Sequence, residues 1–185
     1  MKTPLATYSY QLDKGDCIIQ LSDNWDAFAR ENDGTDFVRE KIINLPLWDF
    51  IRDEGVINLL NALFHLIRTT ASSLQLPMNC DSPDYRRSLE LHISLLPQEG
   101  IMCSNHVLDI TRRKIPVPLL DTTIERSDDF IRMCSWCKKI AVDDTWHDVE
   151  RAIVDLGLFK AQQLPRVTHG ICPACFEQCS KVPGL

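Results

Sequence analysis

The sequence predicts an α+β chain: a five-stranded antiparallel sheet with helices on one face, followed by a small C-terminal four-cysteine metal-binding module that also contains helices. Three observations lead there. Apolar and polar residues alternate through Leu74, Leu76, Met78 and through Leu89, Leu91, Ile93, Leu95, the period of strands with one buried face. Val56, Leu59, Leu60, Leu63, Phe64 and Ile67 recur at helical spacing as a single stripe, which suits a helix laid on a sheet. Two Cys-x-x-Cys pairs, Cys134/Cys137 and Cys172/Cys175, mark the last third. With 185 residues, 44% hydrophobic and 25% charged, the chain can bury one ordinary core plus an appendage. The expected division is a sheet domain over 8–111, a linker over 112–130 and a cysteine-rich module over 131–185.

The elements follow in order. Tyr8 to Leu12 and Cys17 to Leu21 flank the turn-forming Asp13-Lys14-Gly15-Asp16 and read as a hairpin. Asp23 or Asn24 can cap a short helix in which Trp25, Phe28 and Ala29 share a face, stopped by Asn32-Asp33-Gly34. Leu45 to Ile51 is too apolar for an exposed loop and is broken by Pro46, so a single turn pressed into the core is expected. The striped helix comes next, then the two alternating strands, with Cys80-Asp81-Ser82-Pro83-Asp84 as the turn between them and Pro77 placing the first at an edge. Pro97-Gln98-Glu99-Gly100 turns the chain into a last strand over Ile101 to Ile110. The basic run Arg112-Arg113-Lys114, flanked by Pro116 and Pro118, reads as solvated linker.

The cysteines point to a metal. A two-residue spacer lets both thiolates of a pair converge on one ion while nearby amides aim at the sulfurs, and two such pairs supply the four soft ligands of tetrahedral zinc. The spacer 138–171 can hold one helix and still bring its ends together. Asp143 or Asp144 would cap that helix, with Trp146, Val149, Ile153 and Leu156 on one face and Gly157 ending it. The second pair would open a helix over Cys172 to Lys181, where amide dipoles favour thiolate charge. An iron-sulfur cluster uses the same ligands and stays open as the alternative. A thioredoxin-like redox pair follows a buried strand, whereas polar Arg126-Ser127-Asp128-Asp129 stand before the first pair here. Structural disulfides would require export, and Met1-Lys2-Thr3-Pro4 does not begin a charged-then-apolar leader. His169 stands three residues before Cys172, as an alternative ligand or as a hydrogen-bond donor to a sulfur. Arg132, Lys138, Lys139 and Arg166 are close enough in sequence to offset thiolate charge. Cys179 reads as an inert, partly buried thiol, His147 as surface, and Cys17, Cys80 and Cys103 as small hydrophobes.

Tyr10-Gln11-Leu12-Asp13, Asn24-Trp25-Asp26-Ala27-Phe28-Ala29-Arg30-Glu31-Asn32, Leu47-Trp48-Asp49-Phe50-Ile51 and Cys80-Asp81-Ser82-Pro83-Asp84-Tyr85-Arg86-Arg87, in this strand and helix order, resemble a bacterial PAS-like sensory family. Cys134-Ser135-Trp136-Cys137-Lys138-Lys139-Ile140 and His169-Gly170-Ile171-Cys172-Pro173-Ala174-Cys175 are similar to the cysteine-rich segment found beside such domains. Asn79 departs from the pattern, which has a basic residue before Cys80-Asp81. The resemblance implies a sensory domain with a ligand groove between its main helix and sheet. Trp25, Phe28, Trp48 and Phe64, with Phe50 beside them, are candidates to line that groove or to be plain core, and the groove ligand is unspecified. His65 lies off the apolar stripe and faces solvent.

The remaining features narrow the function. No run approaches the about 18 to 20 apolar residues of a spanning helix, and a formal charge of -6 opposes general binding to nucleic acid or anionic lipid, so a soluble cytoplasmic protein is expected. No glycine-rich phosphate loop, nucleophile elbow or paired-histidine metalloprotease helix is present, and a closed four-thiolate site lacks the open position of catalytic zinc. The expected role is non-enzymatic signalling through a partner protein, with homodimerisation possible. The alternative is a redox or iron-sulfur sensor in which the cysteines themselves detect the signal.

Overall fold

Strand β1 (Ala6–Leu12) and strand β2 (Ile18–Leu21) pair antiparallel as the alternation requires, and the Asp13 carboxylate accepts the N–H groups of Gly15 and Cys17 to close the turn between them. A computed structural model describes residues 3–32, 34–121 and 123–181. Asp33 of the expected helix stop, Met1 and Lys2 of the stretch read as no leader, Thr122 of the expected linker and the last four residues of the 131–185 module lie outside it.

Helix α1 (Trp25–Glu31) forms where the capping signal places it, but the Asn24 side chain donates to the Thr7 carbonyl instead of capping. A short helix α2 (Arg39–Ile42) and a single 3-10 turn at Leu47–Phe50 lead into helix α3 (Glu54–Thr70). Asp53 caps α3 by accepting the Val56 N–H at 2.8 Å. Every residue of the predicted stripe is buried, joined by Leu66.

Strands β3 (Ser73–Asn79), β4 (Tyr85–Leu95) and β5 (Ile101–Arg112) complete the first sheet, in the order β2-β1-β5-β4-β3 with every pair antiparallel. Pro77 does lie on an edge strand. Gly100 is required where the chain turns into β5: a Cβ there would stand 2.8 Å from the Leu12 carbonyl oxygen. Leu12, Leu63, Phe64, Ile67, Ile93, Ile101 and Cys103 form the centre of the core between α3 and this sheet.

The C-terminal part holds a second sheet that the sequence reading did not contain. Its strands are β6 (Arg126–Cys134), β7 (Ile140–Val142), β8 (Thr145–His147) and β9 (Leu164–Gly170), in the order β8-β7-β6-β9. Trp146 therefore belongs to a strand, and the tail helix α4 (Val149–Asp155) starts at Asp148 instead of Asp143 or Asp144, which form the β7–β8 turn. Gly157 ends it at φ +66°. Polar Arg126 to Asp129 are strand as well: Asp128, Asp129 and Phe130 are exposed, and only Met133 and Cys134 at the end of β6 are buried. The 112–130 span thus contains the end of β5, a 3-10 turn at Pro118–Leu120 and the beginning of β6. Val117, Leu119, Met133, Ile140, Val149, Ala152 and Ile153 make a second small core beneath this sheet.

Arg113 is not solvated linker. Its guanidinium, 2% exposed, binds Asp81 at 2.6 Å and Glu150 of α4, and Glu150 also takes a forked pair from Arg86. Burial pushes the Glu150 carboxyl upward, but the Arg86 hydrogen bond and the two guanidinium charges outweigh it and hold the group below its ordinary 4.5. A carboxyl depressed in the fold stabilises above its unfolded value, and that contribution disappears as pH falls through the folded value. Denaturation midpoints are expected to decline below pH 4.5, and Glu150→Gln should flatten that part of the profile.

Candidate metal centre

The two cysteine pairs meet because β6 and β9 run parallel. Cys134 ends β6, its register partner Gly170 ends β9, and the chain beyond each strand reaches the same end of the sheet. A parallel pair needs a crossover of a dozen or more residues, usually helical. Residues 138–163 provide it, with the β7–β8 hairpin and α4 inside. The Ser135 N–H bonds the Gly170 carbonyl at 2.8 Å and ties the first knuckle to the end of β9.

All four sulfurs, from Cys134, Cys137, Cys172 and Cys175, lie within 4.8 Å of one another, and those of Cys137 and Cys172 are 3.7 Å apart. Tetrahedral zinc with Zn–S bonds of about 2.3 Å sets its sulfurs roughly 3.8 Å apart, so the donor spacing fits one shared ion. Backbone amides aim inward as the spacing predicts. Cys172 N–H donates to the Cys134 sulfur at 3.4 Å and Cys175 N–H to the Cys172 sulfur at 3.4 Å. Helix α5 (Pro173–Ser180) starts at this pair, with Cys172 as its N-cap.

Hydrogen bonding and burial set the charge state of these thiols. The Cys137 thiol, with backbone N–H groups of Cys137, Cys172 and Trp136, holds Cys134 down to about 4 against the effect of burial. The bond to Cys134 and then burial push Cys137 up, while burial and the bond to Cys172 push Cys175 up to about 12. A second thiolate beside the first is disfavoured until a positive ion offsets the charge, so metal binding here must displace protons.

The other candidate residues fall outside the four-sulfur group. His169 lies on β9 with its side chain exposed and is not among the residues whose ligand atoms converge. Cys179, 1% exposed, packs in the core beside Cys172 and Cys175, and burial raises its thiol to about 11. Cys103 is fully buried beside Tyr10, and burial pushes it up to about 12. Cys17 and Cys80 are partly buried. His65 is exposed, as its phase requires, and His147 is partly buried and hydrogen-bonded to Thr145 at 2.6 Å. Of the charges expected to offset the thiolates, Arg132 stacks over Trp146, Arg166 pairs with Asp128, and Lys138 bonds the Ser135 carbonyl inside the first knuckle.

The aromatic set lies around the main core. Trp25, Trp48 and Phe50 pack against the main core and Phe64 sits within it, with Trp48 and Phe64 rings 5.9 Å apart, whereas Phe28 stacks on Tyr8. The residue that sequence reasoning undervalued is Asn79. Its N–H donates to the Trp136 carbonyl at 2.8 Å and its side-chain amide to the Cys137 carbonyl at 3.1 Å, so the end of β3 holds the first knuckle. Trp136, 5% exposed, and the buried cysteines belong to the same core as α3. Among the described residues no helix is long and apolar enough to cross a membrane. The chain matches no protein-family model and no curated protein.

Proposed function

We propose that this is a non-enzymatic regulatory protein of the bacterial PAS-like kind, in which one structural zinc on Cys134, Cys137, Cys172 and Cys175 fixes the C-terminal module against the sensory sheet and the assembly acts through a partner protein. The observation that carries the reading is the convergence of four sulfurs from the ends of two parallel strands, at the spacing of a single tetrahedral ion. The first sheet supports the rest: its order along the chain, two strands, a helical segment and then three strands, is the element order on which the family resemblance rests. A multi-iron cluster places its own irons and sulfides between cysteines on different irons, and the close sulfur spacing favours one ion over that alternative. Four thiolates fill a tetrahedral shell and leave no position for substrate, which supports a structural role.

Protein purified without oxygen is expected to be colourless and to contain one zinc per chain by elemental analysis. A brown sample with iron and acid-labile sulfide would replace the zinc reading with the cluster-sensor reading. A metal-free sample that takes up no zinc would remove both.

A further inference from the structure

The free edge of β9 and the groove beside it form a site that nothing above uses. The other long edges are interrupted. The segment 44–47 hydrogen-bonds along β2 through Ile18 N–H to the Leu45 carbonyl and Asn44 N–H to the Ile18 carbonyl, whereas on the β3 edge the Trp136 carbonyl takes the Asn79 N–H and Pro77 has no N–H to offer. Strand β8 has three residues. In β9 the Ser135-to-Gly170 bond fixes which backbone groups face β6, and the alternation of a parallel ladder then turns the N–H and C=O of Val167 and His169 outward. Among the described residues these groups have no backbone partner. Pro165, which has no N–H to offer, falls on the same outward side and limits the open stretch to its last residues.

Alongside runs an open groove of about 760 Å³, walled by Phe37, Phe50, Ile51 and Val56 on one side and by Val167 and His169 on the other. Phe37 is 45% exposed, an apolar side chain without cover. Arg52 and Asp53 both line the groove; Arg52 is exposed, with no carboxylate partner among the described residues, whereas one Asp53 carboxylate oxygen accepts the Val56 N–H as the cap of α3. A row of outward main-chain groups is complementary to one thing, another extended strand, and the groove supplies an apolar pocket and a cation for its side chains.

We propose that β9 accepts a short extended peptide of a partner protein as an added strand, with an apolar side chain between Phe37 and Val167 and a carboxylate at Arg52. The inference deepens the regulatory reading by naming the partner's chemistry and the face it engages, which the metal knuckle holds next to the sensory core. The test uses the zinc-loaded full chain and three synthetic hexapeptides: acetyl-Glu-Val-Asp-Phe-Glu-Val-amide, its lysine-for-acid counterpart, and the acidic peptide with alternate backbone nitrogens methylated. The acidic peptide should bind about tenfold more tightly than either control, the scale of a lost charged or main-chain hydrogen-bond set. Arg52→Glu, a surface change that leaves folding intact, should remove the acidic preference, and amide shifts should centre on Val167 to His169. Equal binding of all three peptides, or shifts elsewhere, overturns the proposal, as does self-association through β9 that the peptide displaces. Zinc content measured on the same samples separates the two readings: failed peptide binding with zinc retained removes the docking edge alone, and peptide binding by a zinc-free chain removes the clamp alone.

Discussion

Replacing Cys172 with serine is expected to cost roughly a hundredfold in metal affinity and to loosen the C-terminal module. Structural zinc contributes about 10–16 kcal/mol to small sites, so each of four ligands carries on the order of 3 kcal/mol. Cys172 links the two pairs. Its sulfur is 3.7 Å from that of Cys137, accepts the Cys175 N–H as the cap of α5, and its own N–H supports Cys134. Serine supplies a cap acceptor in its oxygen but not the soft ligand. Because Trp136 is 5% exposed within the shared core, its emission should shift to the red as the knuckle opens. Competition with a chromophoric chelator measures the affinity, and Cys80→Ser, outside the four-sulfur group, serves as the matched control. Wild-type affinity in Cys172→Ser would show that the sulfur does not hold the ion. The second core around Ile140 and Ala152 is independent of the cysteines, so metal loss should relax α5 and the knuckles before the second sheet unfolds.

How far the sequence was readable depended on whether local pattern or distant pairing decided an element. The stripe from Val56 to Ile67 and the alternation from Leu89 to Leu95 report burial on one face, and both elements form where the period places them. The cysteine site was readable for a similar reason, since the ligand spacing reflects the chemistry of the ion. The second sheet was not. Residues 126–129 are strand because β9 pairs with them, and their polar side chains face solvent, so neither hydrophobic period nor composition marked them. Val167 and Thr168, β-branched residues just before the second pair, were the available signal for β9. Trp146 and Val149 fell at helical spacing by coincidence across a strand-to-helix boundary. Asn79, a polar residue at the end of an edge strand, carried no local signal, because its role lies in its two bonds to the distant knuckle.

Arg113→Met should destabilise the protein by about 3–5 kcal/mol, the cost of leaving a buried charge without its partner. The Arg113 side chain is 2% exposed and that of Asp81 8%, so water cannot replace the missing guanidinium. The Glu150 side chain is 39% exposed and keeps Arg86, so the penalty falls on Asp81. Arg113 stands just past β5, Asp81 in the β3–β4 turn and Glu150 in α4, and the arginine therefore joins the first sheet to the helix over the second. Removing both charges should cost much less than removing one, because an apolar pair of similar volume often replaces a buried ion pair at little net loss. Denaturant unfolding of Arg113→Met, Asp81→Leu and the double variant gives the coupling directly. A single-variant loss below about 0.5 kcal/mol, the range of ordinary surface changes, would mean that the junction is not held by this pair. A large loss recovered in the double variant but accompanied by altered metal release would show that Arg113 aligns the two sheets: apolar substitutes can restore packing energy, but they cannot reproduce the directional grip on both Asp81 and Glu150.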